Sequence, residues 1–319
     1  MFAAVSLSAQ RPLVWTELEP QRLGSQDVRV AVQAVGVNPV DWKMREGGPL
    51  RMVQRLTGPS GALVVGVDFA GEVTEVGHGV AGIQIGDRVV GGTNFSVGQR
   101  GSYATEVVVR GVQITLLQPQ TDVLQAGALP VAGVTAHQAL TQLCHIDHKP
   151  GAKVLVLGAS GGVGHMAVQI AKLLGAKVFG VCSARNGDFV RGLGGEVLAY
   201  DTPDFAAQVR AAGPFDAVVD GVGSAAYPVL QARSWLAPGG RHVLVVPRPI
   251  DLPWLLTGKT TTVLGQPLGE GLRPLVQWLE AGQLRVQVAQ VFALQDAEAA
   301  HQLSQQGKVA GKLVLSYQP

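Results

Sequence analysis

The 319-residue chain reads as an α/β protein of two domains, a β-rich barrel-like region followed by a six-stranded, doubly wound parallel sheet. Three observations predict this. Residues 1–121 are rich in valine and glycine and poor in helical periodicity. From Lys153 onward, apolar strand-like runs alternate with helical stretches, the mark of βαβ units. The length itself favours two domains.

In the first region, Val28–Val37, Leu63–Val73, Asp87–Val90 and Ala104–Val109 alternate or run apolar. Turns such as Gly77-His78-Gly79 and Gly91-Gly92 separate them, and short strands at this spacing predict a barrel or sandwich. The parallel sheet is expected at Lys153–Leu157, Lys177–Val181, Glu196–Ala199, Phe215–Val219, His242–Val246 and Thr261–Leu264. Six such strands make a complete doubly wound dinucleotide fold. Between the first two lies a helix, Val163–Leu174, with Val163, Met166, Ile170 and Leu174 on one face. An amphipathic helix at Leu272–Leu284 and strands at Val286–Phe292 and Lys312–Ser316 then return the chain to the first domain. The expected division is 1–121 with 267–319, and 122–266.

Composition excludes several classes. Apolar residues are 47% and charged residues 15% of the chain, which is not the balance of a disordered or coiled-coil protein. A net charge of +2 with no basic block argues against a nucleic-acid surface. Cys144 and Cys182 are too few for a disulfide scaffold or a structural zinc site. The apolar start from Phe2 to Ala9 precedes Arg11, the reverse of a signal peptide, and no stretch reaches the roughly 18 apolar residues of a membrane span. A cytoplasmic protein without membrane partners is expected.

The sharpest motif is Gly158-Ala159-Ser160-Gly161-Gly162-Val163-Gly164, set between an expected strand and helix. Glycines let the backbone approach a pyrophosphate, whose charge is stabilised by free N–H groups at the helix N-terminus. This predicts dinucleotide binding through Gly158, Ser160, Gly161, Gly162, Val163 and Gly164. The second strand ends in Val181-Cys182-Ser183-Ala184-Arg185-Asn186, without the acid an NAD site places there to bind the ribose hydroxyls. The first carboxylate is Asp188. Ser183 and Arg185 are therefore expected to bind a 2′-phosphate, making the cofactor NADP(H); the alternative for Arg185 is a solvated loop residue. His78, His137, His145, His148 and His165 lack metal-ligand spacing, and Cys182 is expected to pack rather than react.

Together these segments resemble the medium-chain dehydrogenase/reductase superfamily, which implies a GroES-like barrel-type domain joined to a Rossmann domain. The resemblance is carried by the glycine turn and by Gly36-Val37-Asn38-Pro39-Val40-Asp41, Gly66-Val67-Asp68-Phe69-Ala70-Gly71 and Gly86-Asp87-Arg88-Val89. Ala132-Gly133-Val134-Thr135-Ala136, Asp220-Gly221-Val222-Gly223 and Gly311-Lys312-Leu313-Val314-Leu315 extend it over nearly the whole chain. It implies Thr135, Tyr200, Gly221, Val222 and Lys312 as further cofactor contacts.

Where zinc alcohol dehydrogenases carry ligands, this chain has Asn38, Val67-Asp68 and about Val131, and it lacks the structural-zinc lobe. It is similar to the zinc-free quinone oxidoreductase branch, with no metal expected. Without a Lewis acid the hydride acceptor must already be electron-poor, a quinone or a conjugated enone or enal. The resemblance implies catalytic roles for Asn38, facing nicotinamide and substrate, and for Lys43, where many quinone reductases carry tyrosine. Lys43 either stabilises an enolate or hydroquinone anion or is a solvated loop lysine, and Tyr103 is expected to be strand packing. A quinone oxidoreductase is the leading reading. The alternatives are a 2-alkenal or enoyl reductase and a cofactor-binding structural protein. A homodimer is expected through the uncharged edge strand Thr260–Gly265, because an open edge invites pairing.

Overall fold

The computed structural model describes residues 1–8, 11–46, 63–94, 99–263, 265 and 269–317. It divides into two compact units, Met1–Val131 with Gln266–Pro319, and Ala132–Gly265.

The first unit opens with β1 (Phe2–Ser6), β2 (Val14–Glu17), β3 (Asp27–Val37), β4 (Leu63–Val64), β5 (Asp68–Val76), β6 (Arg88–Gly92), β7 (Glu106–Arg110) and β8 (Ile114–Leu116). β3 is long because its residues alternate half-buried and buried before ending in a fully buried run at Val35–Val37. It pairs antiparallel with both β5 and β7. A smaller sheet, ordered β2-β1-β4, meets the larger one where Ala3 bridges Ala104. The core is dominated by valines of β3 and β5, with Phe69 and Tyr103 fully buried. β-Branched side chains on both faces suit such short, twisted strands.

The helix Val123–Ala128 explains why the first unit reaches Val131, ten residues past the expected boundary at 121. Asp122 caps it by accepting the Leu124 N–H at 2.9 Å. A Cβ on Gly127 would stand 2.8 Å from the Ala34 carbonyl oxygen, so only glycine allows the helix to lie against β3. The second expected boundary, at Gln266 and Pro267, lies outside the described residues.

The second unit contains β9 (Lys153–Leu157), β10 (Lys177–Cys182), β11 (Glu196–Ala199), β12 (Phe215–Asp220), β13 (Leu236–Leu244) and β14 (Thr260–Thr262). All six are parallel, in the order β11-β10-β9-β12-β13-β14. That is the doubly wound order, reversing between β9 and β12. Val154 to Leu157 are fully buried, as expected of a strand covered on both faces. β13 starts six residues before the expected His242. Its pairing with β12 jumps from Phe215↔Leu236 to Ala217↔Arg241, so Ala237 to Gly240 bulge outward, with Gly239 at φ +79°. Leu264, the expected end of the sixth strand, lies outside the described residues.

The chain then returns to the first unit through a helix at Gly269–Glu280, three residues earlier than its periodicity predicted, and β15 (Val288–Ala293). A helix at Ala297–Gln305 leads into β16 (Lys312–Ser316), which pairs antiparallel with β3 and parallel with β15. The large sheet is thus completed by the last strand of the chain.

β5 crosses β3 so closely that a Cβ on Gly71 would collide with the Ala31 carbonyl oxygen. Gly71→Ala is expected to cost about 3 kcal/mol, since backbone cannot yield as a side chain can. Gly192→Ala, with open space around it, should be neutral or slightly stabilising. Urea midpoints of the two variants check the contrast.

Candidate functional site

In the second unit the glycine turn leaves the C-terminal end of β9 beside the point where the strand order reverses. Gly158 adopts φ +75°, and a Cβ there would press the Val222 side chain at 2.7 Å. A Cβ on Gly164 would collide with the Gly158 carbonyl oxygen. Gly161 caps the helix Gly162–Leu173 with no side-chain hydrogen bond. The first-turn N–H groups of Gly162 and Val163 have no intrahelical acceptor and point outward from a bare backbone. This is a cradle for an anion, and the residues fit a dinucleotide pyrophosphate.

The neighbouring Asp220-Gly221-Val222-Gly223 turn is built on a carboxylate that the sequence reading passed over. Asp220 is fully buried, and its Oδ1 accepts the N–H groups of Val222 at 2.9 Å and Gly223 at 2.7 Å. The Gly221 N–H donates to the Leu157 carbonyl at 3.0 Å, holding this turn beside Gly158. Asp220 Oδ2 faces His242 Nε2 at 3.8 Å, both atoms buried and neither hydrogen-bonded. Thr135 is buried next to Gly265, where any Cβ would meet its hydroxyl.

At the ends of β10 and β11 the chain brings together Ser183, Arg185 and Tyr200. Ser183 is nearly buried, Arg185 is exposed, and the Tyr200 N–H donates to the Cys182 carbonyl at 3.0 Å. Asn186 donates to the Ser160 hydroxyl at 3.0 Å, tying this rim to the glycine turn. The rim is not free of acid, as the sequence had implied. Asp201, far along the chain, accepts the Ala184 N–H at 2.8 Å, whereas Asp188 pairs with Arg191 at 2.6 Å. Burial pushes the Cys182 thiol up from its usual value, in keeping with a packing role.

The first unit holds a second cluster, buried and charged. Asn38 precedes the helix Pro39–Glu46, whose Pro39 suits the first helical position. Asp41 Oδ2 accepts the Asn38 N–H at 2.7 Å, the carboxylate half of a capping box. The Asn38 side chain turns away from that helix. Its Nδ2 donates to Asp68 Oδ2 at 2.8 Å and to the Gly36 carbonyl at 3.3 Å, and its Oδ1 accepts from Lys312. Lys312 Nζ also donates to the Val37 carbonyl at 3.1 Å and lies 3.6 Å from Asp68 Oδ2. The Val131 N–H donates to Asp68 Oδ1 at 2.9 Å.

The three positions aligned with zinc ligands, Asn38, Asp68 and Val131, therefore do meet. They do not fit a zinc ion. The amide and carboxylate oxygens are taken up by an ammonium and by N–H donors, no thiolate or imidazole joins them, and Val131 contributes only backbone. Among the described residues, no group of three or more His, Cys, Asp or Glu side chains could hold a metal.

Two of the expected site residues are engaged within this network. Lys312 is buried, with its ammonium engaged by Val37, Asn38 and Asp68 inside the first unit. The Asn38 amide likewise serves the network and has no free donor for a substrate. Lys43 lies five residues along the chain, half-buried, with its ammonium 5.5 Å from the Trp42 ring centroid.

Tyr103 packs as expected but also donates to Asp41 Oδ2 at 3.1 Å, and His301 Nε2 lies 3.2 Å from its hydroxyl. Since the phenol proton points to Asp41, neutral His301 must donate through Nε2, leaving Nδ1 without a partner. Burial pushes Asp41 up to about 7, partly offset by the Asn38 N–H. Burial, with the Arg45 cation, lowers His301 to about 4. Burial also drives Asp68 up and Lys312 down, against their mutual attraction. No local signal marked His301 or Tyr103 as polar partners, since they are 198 residues apart.

Residues 24–119 match the alcohol dehydrogenase GroES-like domain family, and residues 193–315 match the zinc-binding dehydrogenase family. The chloroplast envelope quinone oxidoreductase homolog of Arabidopsis thaliana is 35% identical over 305 residues, 91% of this chain and 90% of its own. The chain belongs to the medium-chain dehydrogenase/reductase superfamily. The trans-enoyl reductase pgmF of Aspergillus terreus is 30% identical, over 92% of this chain and 87% of its own. The quinone oxidoreductase of Coxiella burnetii superposes with a TM-score of 0.88 at 30% identity, covering 99% of both chains. This superfamily member is an oxidoreductase, and its family and Rossmann fold imply a nicotinamide cofactor.

The buried groups set opposite pH dependences. Between about pH 4 and 7 the folded chain keeps a proton on Asp41 that the unfolded chain has released, so this carboxyl lowers stability as pH rises. Between about pH 4 and 6.5 the unfolded chain protonates His301 and the folded chain does not, so stability rises with pH. Relative to the parent, Asp41→Asn should gain stability as pH rises through the first window, by at most about 1.4 kcal/mol per pH unit. His301→Gln should lose relative stability through the second. Urea unfolding across these windows measures both slopes.

Proposed function

We propose that this chain is an NADPH-dependent, zinc-independent quinone oxidoreductase. One observation carries the reading. Lys312 already satisfies the Asn38 and Asp68 oxygens at the position where zinc relatives bind metal. The acceptor must then be electron-poor without metal activation, as a quinone is. The quinone oxidoreductases of A. thaliana and C. burnetii named above support this substrate class.

The nicotinamide supplies hydride when bound. The Gly162 and Val163 N–H groups hold the pyrophosphate, and Gly158 and Gly164 let it come close. Gly221 and Val222 stand beside that turn, and Thr135, buried against Gly265, is the further cofactor contact that the family resemblance implies. Ser183 and Arg185 receive the 2′-phosphate, with Tyr200 beside them on the rim. After hydride transfer the product is an anion, and the Lys43 ammonium is the cationic group assigned to stabilise it before solvent protonates it. The same chemistry extends to an activated C=C bond, and the trans-enoyl reductase relative favours a conjugated enone or enal as the second reading. A merely structural protein would have no use for an uncapped anion cradle.

Initial rates with NADPH across a quinone panel and an enal panel decide between the two substrate classes. Activity is expected to survive prolonged chelation, and loss of activity together with stoichiometric zinc would overturn the zinc-free assignment. Arg185→Ala should weaken NADPH binding about tenfold and leave NADH binding nearly unchanged. Asp201→Asn, which removes a negative charge from the same rim, should strengthen preference for NADPH.

We also infer a homodimer built on β14. Among the described residues this strand pairs with β13 alone, and its Thr260-Thr261-Thr262 edge carries no charge. Sedimentation at micromolar concentration should give twice the 33.2 kDa chain mass, and Thr261→Pro should shift the protein toward monomer.

A further inference from the structure

At the opposite edge of the parallel sheet from the glycine turn, the second unit contains a cavity of about 330 Å³. The bulge Ala237-Pro238-Gly239 at the start of β13 forms one wall, with Leu236 beside it. Arg233 and Lys259 form the other. The bulge exists because β13 uses four extra-looped residues, Ala237 to Gly240, against Asp216 alone on β12.

The charges here are unbalanced. Among the described residues, neither Arg233 nor Lys259 takes part in an ion pair, and nor does the neighbouring Arg241, which donates to the Gly258 carbonyl at 3.2 Å. The nearest carboxylate along β12 is Asp216, which is already accepting the Lys153 N–H at 2.9 Å. The Arg233 guanidinium carbon lies over the Trp254 ring, 5.3 Å from its centroid, and Nη1 donates to the Thr257 hydroxyl at 3.2 Å. A planar guanidinium presents its donors in a fixed fork, which matches phosphate oxygens in pairs. Lys259, exposed, supplies a second positive charge on a movable stem.

We propose that this cavity is a binding site for a small phosphate monoester with a short apolar body, separate from the cofactor turn. Two cations facing one space match a dianionic head better than a singly charged carboxylate. The Leu236-Ala237-Pro238 wall takes the hydrocarbon. The volume falls within the range of small-ligand pockets. Bound there, the phosphate bridges the end of the helix Val229–Ser234, which carries Arg233, to Lys259, the residue before β14.

Calorimetric titration of the full chain, held at saturating NADPH so that the cofactor turn is filled, tests the assignment. Hexyl phosphate is expected to bind at one equivalent per chain, about tenfold more tightly than inorganic phosphate or hexanoate. Lys259→Ala and Arg233→Gln should each weaken hexyl phosphate about tenfold. Lys259 is an exposed side chain, so its variant remains informative even if loss of the Arg233–Trp254 contact perturbs folding. Hexyl phosphate binding that is absent, or unchanged in Lys259→Ala, overturns the proposal. Inorganic phosphate binding as tightly as hexyl phosphate also overturns it, because the apolar wall would then contribute nothing.

Discussion

An ammonium and two carboxylates inside a β core are stable only when each charge is met, and in the first unit Asp68 and Lys312 meet at 3.6 Å. Isolated burial of either charge costs several kcal/mol, and removing one partner of such a pair typically costs about 3–5 kcal/mol. Asn38 makes the pairing tolerable. Its amide donates to the carboxylate and accepts from the ammonium, so the remaining lone pairs and protons find partners. Asp41 stays outside that balance, and burial holds its proton to about pH 7 instead. The strands follow from this arrangement. Lys312 opens β16, Asp68 opens β5 and Asn38 follows β3, so one polar knot fixes the ends of three strands that also share a sheet. The last strand of the chain is locked into the first unit by its first residue.

The second unit solves a different problem with no buried ammonium at all. Its constraint is close backbone approach, and every part of the turn serves it. Gly158 supplies a left-handed conformation, Gly164 lets the helix pass the Gly158 carbonyl, and Gly180 on β10 leaves room for Ala159, where a Cβ would approach to 2.8 Å. Asp220 then shapes the adjoining turn by accepting two successive N–H groups. Negative charge on the protein side is thus consumed by backbone donors beside a cradle meant for another anion. Those two hydrogen bonds stabilise the buried Asp220 carboxylate and fix the direction of the turn beside the helix N-terminus.

The parallel sheet was legible because its signals are local. Continuous apolar runs of four to six residues, each followed by a helical period, place β9 and β11 to the residue. Glycines at fixed offsets mark the turn between strand and helix. Legibility failed where the deciding partner lies far along the chain. Asp201 joins the Ser183–Arg185 rim from the end of another strand, and nothing near Arg185 announces it. The partners of Lys312 were hidden in the same way, since its ammonium is engaged by residues 37, 38 and 68, far from it along the chain. His301 and Tyr103 are ordinary residues in their own segments and become a polar chain only through packing. The bulge at Ala237–Gly240 was equally hidden, since a Pro-Gly-Gly run reads as a turn that ends before a strand rather than as part of one.

Charge placement also separates the two proposed anion sites of this sheet. At the C-terminal edge the attraction comes mainly from backbone N–H groups, which are fixed in direction and carry no net charge. Arg185 adds a full positive charge there, and Asp201 opposes it within the same rim. The net charge at that edge is therefore set by two nearby side chains of opposite sign rather than by one. At the N-terminal edge the order is reversed. The helix dipoles contribute nothing favourable to an anion where helices end, because the carbonyl ends of the helices face that side. Any anion held at that edge must rely on side-chain cations, and Arg233 and Lys259 are the two that face the cavity without an acidic partner among the described residues.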